Sequence, residues 1–301
     1  MTVNSQDAVA ESLQNSGDWE GLAGHLRERM MSGDPAYHSV ATRLATVLET
    51  QLDRPGKAGD VLEWLLDKAP ADVDIRHTLE RLRSETQNWS GLVVAYRRGL
   101  VTAADDTEKI VTLEKILRVQ RDALGDTDAL RATCIEALSL EPSCQWAWSN
   151  IEQSHAADES WWELIKELAQ AAMNAGDKSG PITFHIATVM DEHLGQLEKA
   201  ATLYEAALTA GADPLSCLDA LEALYAESED WTQLVQTYER LMPLASDPEE
   251  RTTLRRNWAM VLSDGLNDTK GAIALYDAIL EDDPADKEAF QAMMALQKRT
   301  G

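Results

Sequence analysis

A tryptophan recurs along this chain at a nearly constant interval, and this repeat constrains the fold more than any other feature. The four positions, 70, 72 and 70 residues apart, are Trp19, Trp89, Trp161 and Trp231. In every copy a leucine follows three residues later and an apolar residue seven residues later. A repeat of this length predicts an array of similar structural units, each of which buries its apolar face against its neighbours.

Prolines mark the same register. Pro70, Pro142 and Pro284 each follow a small or apolar residue by 12 positions. The remaining copy has Ala212 at the equivalent position, with Pro214 two residues further on. The distance from this landmark to the next tryptophan is 19 residues in all three places where it can be measured. The tryptophans and the prolines therefore indicate the same repeat, in the same register.

Within each copy, apolar residues recur at three- and four-residue spacing, as in Leu234, Tyr238 and Leu241. This spacing is typical of amphipathic helices, and the short breaks between them predict antiparallel neighbours. No stretch alternates as a strand would. We therefore predict an all-α fold of one domain over residues 1–301. Its four double units span about 3–72, 73–144, 145–214 and 215–284, and a capping helix spans 286–300.

Half of the repeat is about 35 residues, and its residues resemble the tetratricopeptide repeat, a helix pair of 34 residues. Six apolar residues match the characteristic spacing of that family: Leu218, Leu221, Tyr225, Leu234, Tyr238 and Leu241. The resemblance implies a right-handed superhelical solenoid of about eight helix pairs, with a concave face lined mainly by the first helix of each pair. It also implies a non-enzymatic scaffold or adaptor that binds a protein or peptide on that face. The chain departs from the family in having leucine at several close-packing positions.

The four repeated tryptophans are interpreted as wedges between units, at the turn between two helices. Replacing one with alanine is expected to cost about 3–5 kcal/mol of stability, the usual range for large-to-small core substitutions. Pro70, Pro142 and Pro284 are interpreted as structural residues at the ends of helices.

Charge and cysteine content exclude several classes of protein. The chain has 52 acidic and 27 basic residues and a formal net charge of -25. Nucleic-acid and anionic-membrane binders need a basic surface, so we expect neither partner. The three cysteines do not suffice for a disulfide scaffold and favour a reducing compartment. With no signal-like start and no run of 18 apolar residues, we expect a cytoplasmic protein.

Motifs that carry chemistry are missing from the sequence. It contains no HExxH, no CxxC, no GxSxG and no glycine-rich phosphate loop. His185 and His193 are eight residues apart, which is wider than usual metal-ligand spacing. We therefore predict no catalytic residue, no metal and no cofactor.

Two aromatic residues are not explained by the repeat. Trp146 occupies position 2 of its unit, which in the resembled family faces the groove, and Ser149 and Gln153 occupy positions 5 and 9. Trp162 follows a tryptophan that already fills the repeat position. Because tryptophan is enriched at binding hot spots, these four residues are the candidate partner-binding set. Packing between units is the alternative for both tryptophans.

Acidic residues are concentrated in the second half. Between residues 151 and 240, 17 acidic residues face only four basic ones. This composition fits either a surface that keeps the protein soluble or a groove that attracts a basic segment of a partner. Three further alternatives remain open: a regulatory subunit that inhibits or senses an enzyme, a piece of a longer repeat protein, and, least favoured, an enzyme.

Overall fold

The computed structural model describes the backbone of residues 3–300 and the side chains of residues 6–299, and every regular element in this part of the chain is helical. The α-helices are α1 (Val3–Ser16), α2 (Trp19–Met31), α3 (Tyr37–Thr50), α4 (Pro55–Lys68), α5 (Val73–Glu85), α6 (Trp89–Thr102), α7 (Asp106–Val119), α8 (Thr127–Leu140), α9 (Gln145–Ala156), α10 (Trp161–Ala175), α11 (Gly180–Thr188), α12 (Leu197–Thr209), α13 (Pro214–Glu227), α14 (Trp231–Leu241), α15 (Pro248–Met260), α16 (Thr269–Asp282) and α17 (Lys287–Thr300). Short π-helical turns extend α7, α11 and α15, over Gln120–Leu124, Val189–His193 and Val261–Gly265. The predicted all-α class is confirmed.

One turn joins the two helices of every pair from α1/α2 to α15/α16. In each case a single residue two positions before the second helix has a left-handed backbone, with φ between 51° and 74°. The eight residues are Gly17, Asp53, Gln87, Gly125, Glu159, Gly195, Glu229 and Asn267. They lie 34 to 38 residues apart. The period of about 35 residues is thus visible in the backbone itself.

The repeated tryptophans each begin the second helix of a pair, since α2, α6, α10 and α14 all start with one. The residue before the tryptophan caps the helix in three of the four cases. The side chains of Asp18, Asn88 and Asp230 accept a hydrogen bond from the backbone N–H three residues later. Such caps satisfy donors that a helix start leaves unpaired. The local sequence therefore determines where these helices begin.

The chain divides into two compact units. Unit 1 comprises residues 1–137 and 146–151, and unit 2 comprises residues 138–145 and 152–301. The core of unit 1 is largely aliphatic, with Leu44, Leu48, Leu65 and Leu79 almost completely buried. These residues come from three successive helices, α3 to α5. A single helix pair could not bury this surface alone.

Unit 2 has aromatic as well as aliphatic core residues. Tyr204, Leu221 and Tyr238 are buried together on α12, α13 and α14. Further along, α17 packs on α16 through Ala289 and Leu296. The capping helix was predicted over 286–300, and Asp286 caps it instead of beginning it, because its carboxylate accepts a hydrogen bond from the N–H of Ala289 at 3.0 Å.

A proline follows three of the second helices. Pro70, Pro142 and Pro284 each lie two residues beyond the end of a second helix, α4, α8 and α16. Proline cannot continue a helix, so it is common at such positions.

Buried charges in unit 1 are paired. The Arg29 side chain is 4% exposed, and its guanidinium lies 2.8 Å from both Asp34 and Asp7. Arg83 is similarly buried and donates to Asp60 and Glu63. Pairing is what makes burial of such groups tolerable.

The three cysteines, Cys134, Cys144 and Cys217, are buried and are not linked by disulfides. Burial raises the pKa of the Cys217 thiol to about 11. Within the described residues, no helix combines the length and apolar character needed to cross a lipid bilayer.

Candidate partner-binding surfaces

The helix α9 separates its structural residues from its candidate binding residues. Trp148, Ile151 and His155 are buried on one side. On the other side Trp146 is partly buried, while Ser149 and Gln153 are exposed. The spacing of three and four residues puts these last three on one face of the helix. Whether that face binds a partner stays a prediction.

The second tryptophan of the Trp161–Trp162 pair is exposed to solvent. The side chain of Trp162 is 48% exposed, and the Lys199 ammonium lies 5.9 Å from the centre of its ring. At this distance a cation is attracted to the π-face of an indole. No sequence pattern indicated this contact, because the two residues are 37 positions apart.

The first tryptophan of that pair packs on the following helix pair. Its ring is stacked on His193, with 3.7 Å between ring centroids and an interplanar angle of 2°. Trp231 does the same against Gly265, where an added Cβ would lie 2.7 Å from the indole Cγ. His193 and Gly265 occupy equivalent places, two residues before the left-handed residue of the next pair. Whether these tryptophans act as wedges between units stays a prediction.

Several carboxyl groups on the first helices of unit 2 are held close to other carboxyl groups. Burial and the neighbouring Glu227 and Glu192 raise the pKa of Asp191, at the end of the helical segment that α11 begins. On α13, burial followed by Glu250 and Asp213 raises the pKa of Asp219. Burial is also the main cause of the raised pKa of Glu222. In all three, the folded protein disfavours the ionised form.

His155 takes part in a hydrogen-bonded series that no sequence motif indicated. Its Nδ1 lies 2.7 Å from the Ser160 hydroxyl, and its Nε2 lies 3.1 Å from Glu167 Oε2. A serine, a histidine and an acid in series resemble the components of a nucleophilic site. However, the imidazole is completely buried and cannot reach a substrate. The series joins the end of α9 to the start of α10.

A cleft in unit 1 contains aromatic residues that the sequence patterns did not single out. It has a volume of about 650 Å³, and Met31, Tyr37, Trp64 and Lys68 line it. The rings of Tyr37 and Trp64 meet edge to face, with centroids 6.2 Å apart. Trp64 lies outside the tryptophan repeat, which is why the repeat did not indicate it.

No group of three or more histidine, cysteine, aspartate or glutamate side chains converges as a metal site would in the described part of the chain. The features of the described surfaces that could bind a partner are exposed aromatic side chains and an excess of acidic over basic residues.

The tetratricopeptide repeat profile matches residues 216–252, which cover α13, α14 and the start of α15. No curated protein matches the sequence significantly. Among solved structures, the chain is similar to one in the complex of Naa15/Naa10 bound to HypK-THB, with 12% identity, 97% of this chain and 44% of that chain covered, and a TM-score of 0.40. It is also similar to a chain in the APC/C hetero-tetramer Cut9-Hcn1, with 15% identity, 92% of this chain and 53% of that chain covered, and a TM-score of 0.32. A third similar structure is the C-terminal part of a TPR repeat-containing protein from Cytophaga hutchinsonii, with 14% identity, 83% of this chain and 98% of that chain covered, and a TM-score of 0.40.

The chain thus spans about half of the length of the first two similar chains. The match to the tetratricopeptide repeat covers residues 216–252, and a similar turn between two helices recurs in all eight helix pairs. On that evidence, the chain is a tetratricopeptide-like helical repeat protein.

Proposed function

We propose that this chain is a non-catalytic interaction module, a scaffold or adaptor that binds a basic segment of a partner protein. The carboxyl groups of Asp191, Asp219 and Glu222 carry the proposal. Burial raises the pKa values of all three, and neighbouring carboxyl groups add to the shift. An arriving lysine or arginine would favour the ionised carboxylates by pairing with them.

The position of these groups supports the same function. Asp219 and Glu222 lie on α13 and Asp191 on the π-helical extension of α11, so all three belong to first helices. In the resembled family, the first helices line the concave face, and we propose the same role for them here. We propose that Trp146, Ser149 and Gln153 on α9 also contact the bound partner, with the indole as an apolar anchor. Four double units of about 71 residues are part of the same proposal. So is a cytoplasmic location, which the low cysteine count favours.

A random peptide library displayed on phage provides the test. Some of the peptides selected on the wild-type chain are expected to be basic. These basic peptides should bind the variant Asp219→Asn/Glu222→Gln at least tenfold more weakly than the wild type. The matched control is Glu239→Gln/Asp277→Asn, which removes the same charge from exposed positions on the second helices α14 and α16.

Salt and the tryptophan provide the second part of the test. Affinity for the basic peptides should fall steeply between 0.1 M and 1 M salt, because the screening length falls from about 10 Å to about 3 Å. Trp146→Ala should weaken binding at every salt concentration without lowering the melting temperature. Basic peptides that bind the control and the acid-depleted variant equally would reject the acidic face as the binding site.

A further inference from the structure

A second surface in unit 2 has the opposite chemistry. Along α10, Trp162, Lys166, Ala169 and Met173 are all exposed. Their spacing of four, three and four residues puts them on one side of the helix. Trp162 is 48% exposed and Met173 is 69% exposed. Over a length of about 16 Å, this side of α10 therefore presents two large apolar side chains to solvent.

The neighbouring α12 continues this surface. Lys199, Thr202, Ala206 and Thr209 are exposed at spacings of three, four and three residues. The Lys199 ammonium lies over the Trp162 ring at 5.9 Å, so the two helix faces adjoin at that end. We call the exposed sides of α10 and α12 together the α10–α12 face.

The charge of the α10–α12 face contrasts with its surroundings. Residues 151–240 hold 17 acidic and four basic residues, and two of the basic ones, Lys166 and Lys199, lie on this face. Neither forms an ion pair within the described residues. The exposed acids of the two helices, Glu163 and Glu198, lie in the first turns, where they complement the helix dipole.

The other two acids of these helices are already paired. Glu167 bonds to His155 and Glu205 bonds to Arg240. Apart from Glu163 and Glu198, which lie in the same first turns as Trp162 and Lys199, the exposed positions of α10 and α12 are therefore apolar or neutral except for the two lysines. Although carboxylates are abundant in this part of the chain, neither of these two ammonium groups has a carboxylate partner, so both can bind one from outside.

We propose that the α10–α12 face docks an acidic segment of a partner protein that carries at least one large apolar side chain. Trp162 and Met173 would contact the apolar side chain, as tryptophan and methionine do in many interface cores. Lys166 and Lys199 would contact carboxylates on either side of it. Complementary charge selects the occupant, because a basic segment would meet two uncompensated lysines there. This surface is separate from the acidic one proposed above, so the chain would join a basic and an acidic partner segment.

The same displayed library tests this proposal independently. Selection on the wild-type chain, followed by removal of peptides that also bind Lys166→Glu/Lys199→Glu, should leave peptides of net negative charge with an apolar residue. Synthetic copies of these peptides should bind the wild-type chain at least tenfold more tightly than that variant in fluorescence anisotropy. They should also bind at least tenfold more tightly to the wild type than to Trp162→Ala. The matched control, Lys270→Glu/Lys287→Glu, reverses two exposed lysines elsewhere in unit 2 and should bind like the wild type.

All the altered side chains are exposed, so melting temperatures and circular dichroism should match the wild type, and loss of fold would not explain loss of binding. Several results would overturn the proposal. One is a remaining peptide pool that is not acidic, and another is equal binding to the wild type and Lys166→Glu/Lys199→Glu. Lysine-dependent binding to vesicles of phosphatidylserine and phosphatidylcholine, with no selected peptide, would assign the face to membranes. If no basic peptides are selected, the proposed function fails but the test with acidic peptides is unaffected. The two proposals can therefore fail separately.

Discussion

At the scale of single residues, two features of this protein depend on close contacts between individual groups. One is the contact of Trp231 with Gly265, where there is no room for a side chain. The other is the Asp34 carboxylate, which accepts hydrogen bonds from the Ala36 N–H and from Arg29, both at 2.8 Å. Each can be altered by a single small substitution.

Gly265→Ala should destabilise the protein by about 1–3 kcal/mol, the usual cost of overpacking, because the new Cβ would meet the indole of Trp231. Gly24→Ala is the control, since Gly24 is exposed within α2 and an added Cβ there meets nothing. That substitution should instead stabilise by about 0.5–1 kcal/mol. Urea denaturation measures both. Equal effects of the two substitutions would show that Trp231 does not pack as described.

Asp34→Asn should lower the melting temperature at neutral pH. The hydrogen bonds from Ala36 and Arg29 hold the pKa of Asp34 below its usual value. The group therefore contributes stability above the usual pKa of an aspartate, and loses it as the pH falls through the lowered value. The difference in melting temperature between wild type and variant should therefore narrow as the pH falls below about 4, the usual pKa of an aspartate. Asp277→Asn, at an exposed position on α16, should show no such pattern in a series of thermal melts.

At the scale of helices and turns, the molecule repeats one device: a left-handed residue, a capping residue and then the first residue of the second helix. Glycine serves at three of the eight left-handed positions, and other residues occupy the remaining five. Most side chains are strained in this conformation. Aspartate and asparagine tolerate it better than other residues, so the sequence disagrees with the backbone mainly at Gln87, Glu159 and Glu229.

Glu229→Gly should stabilise the α13/α14 turn by up to about 1 kcal/mol, because glycine removes the strain of the left-handed conformation. The reverse change, Gly195→Ala in the α11/α12 turn, should destabilise by a similar amount. Chemical denaturation of both variants provides the comparison. If Glu229→Gly destabilises, contacts of the glutamate side chain outweigh the strain.

Trp231→Ala should cost about 3 kcal/mol, the lower end of the range for removing a large side chain, since Trp231 is only partly buried. Trp162→Ala is the matched control, because its indole is 48% exposed, and it should leave stability nearly unchanged. Thermal melts separate the two. A Trp231→Ala variant that melts normally but fails to bind the basic peptides would make Trp231 a binding residue.

Residue patterns predicted the elements well because they are local. Apolar spacing, the tryptophan register and the prolines all act within one helix pair, and the helices begin and end accordingly. The surfaces were less accessible to prediction. Lys199 meets Trp162 only because two helices pack side by side, and His155 meets Glu167 in the same way. Such contacts depend on tertiary packing, which spacing along the chain does not encode.

At the scale of the whole molecule, a net charge of -25 acts on every charged ligand before contact. A basic peptide is attracted from a distance, whereas an acidic peptide bound for the α10–α12 face is repelled until it reaches Lys166 and Lys199. The two ligands should therefore respond to salt in opposite ways.

Stopped-flow measurements should show that the association of acidic peptides accelerates as salt rises from 0.01 M to 0.15 M. Over this range the screening length falls from about 30 Å to about 8 Å, which removes long-range repulsion and retains part of the attraction at contact. The association of basic peptides should slow over the same range. If the association of acidic peptides also slows as salt rises, the local positive potential at the α10–α12 face must be much larger than two lysines can create.

The buried cysteines allow local unfolding of the native chain to be measured without any added label site. Cys134 lies in α8, Cys144 directly before α9, and Cys217 in α13, and none is available to a reagent in the closed structure. Alkylation requires an accessible thiolate, so each thiol reacts only when its own region opens. The labelling rate at each cysteine, read by mass spectrometry on the unaltered protein, therefore measures how often three separate places in the array come apart.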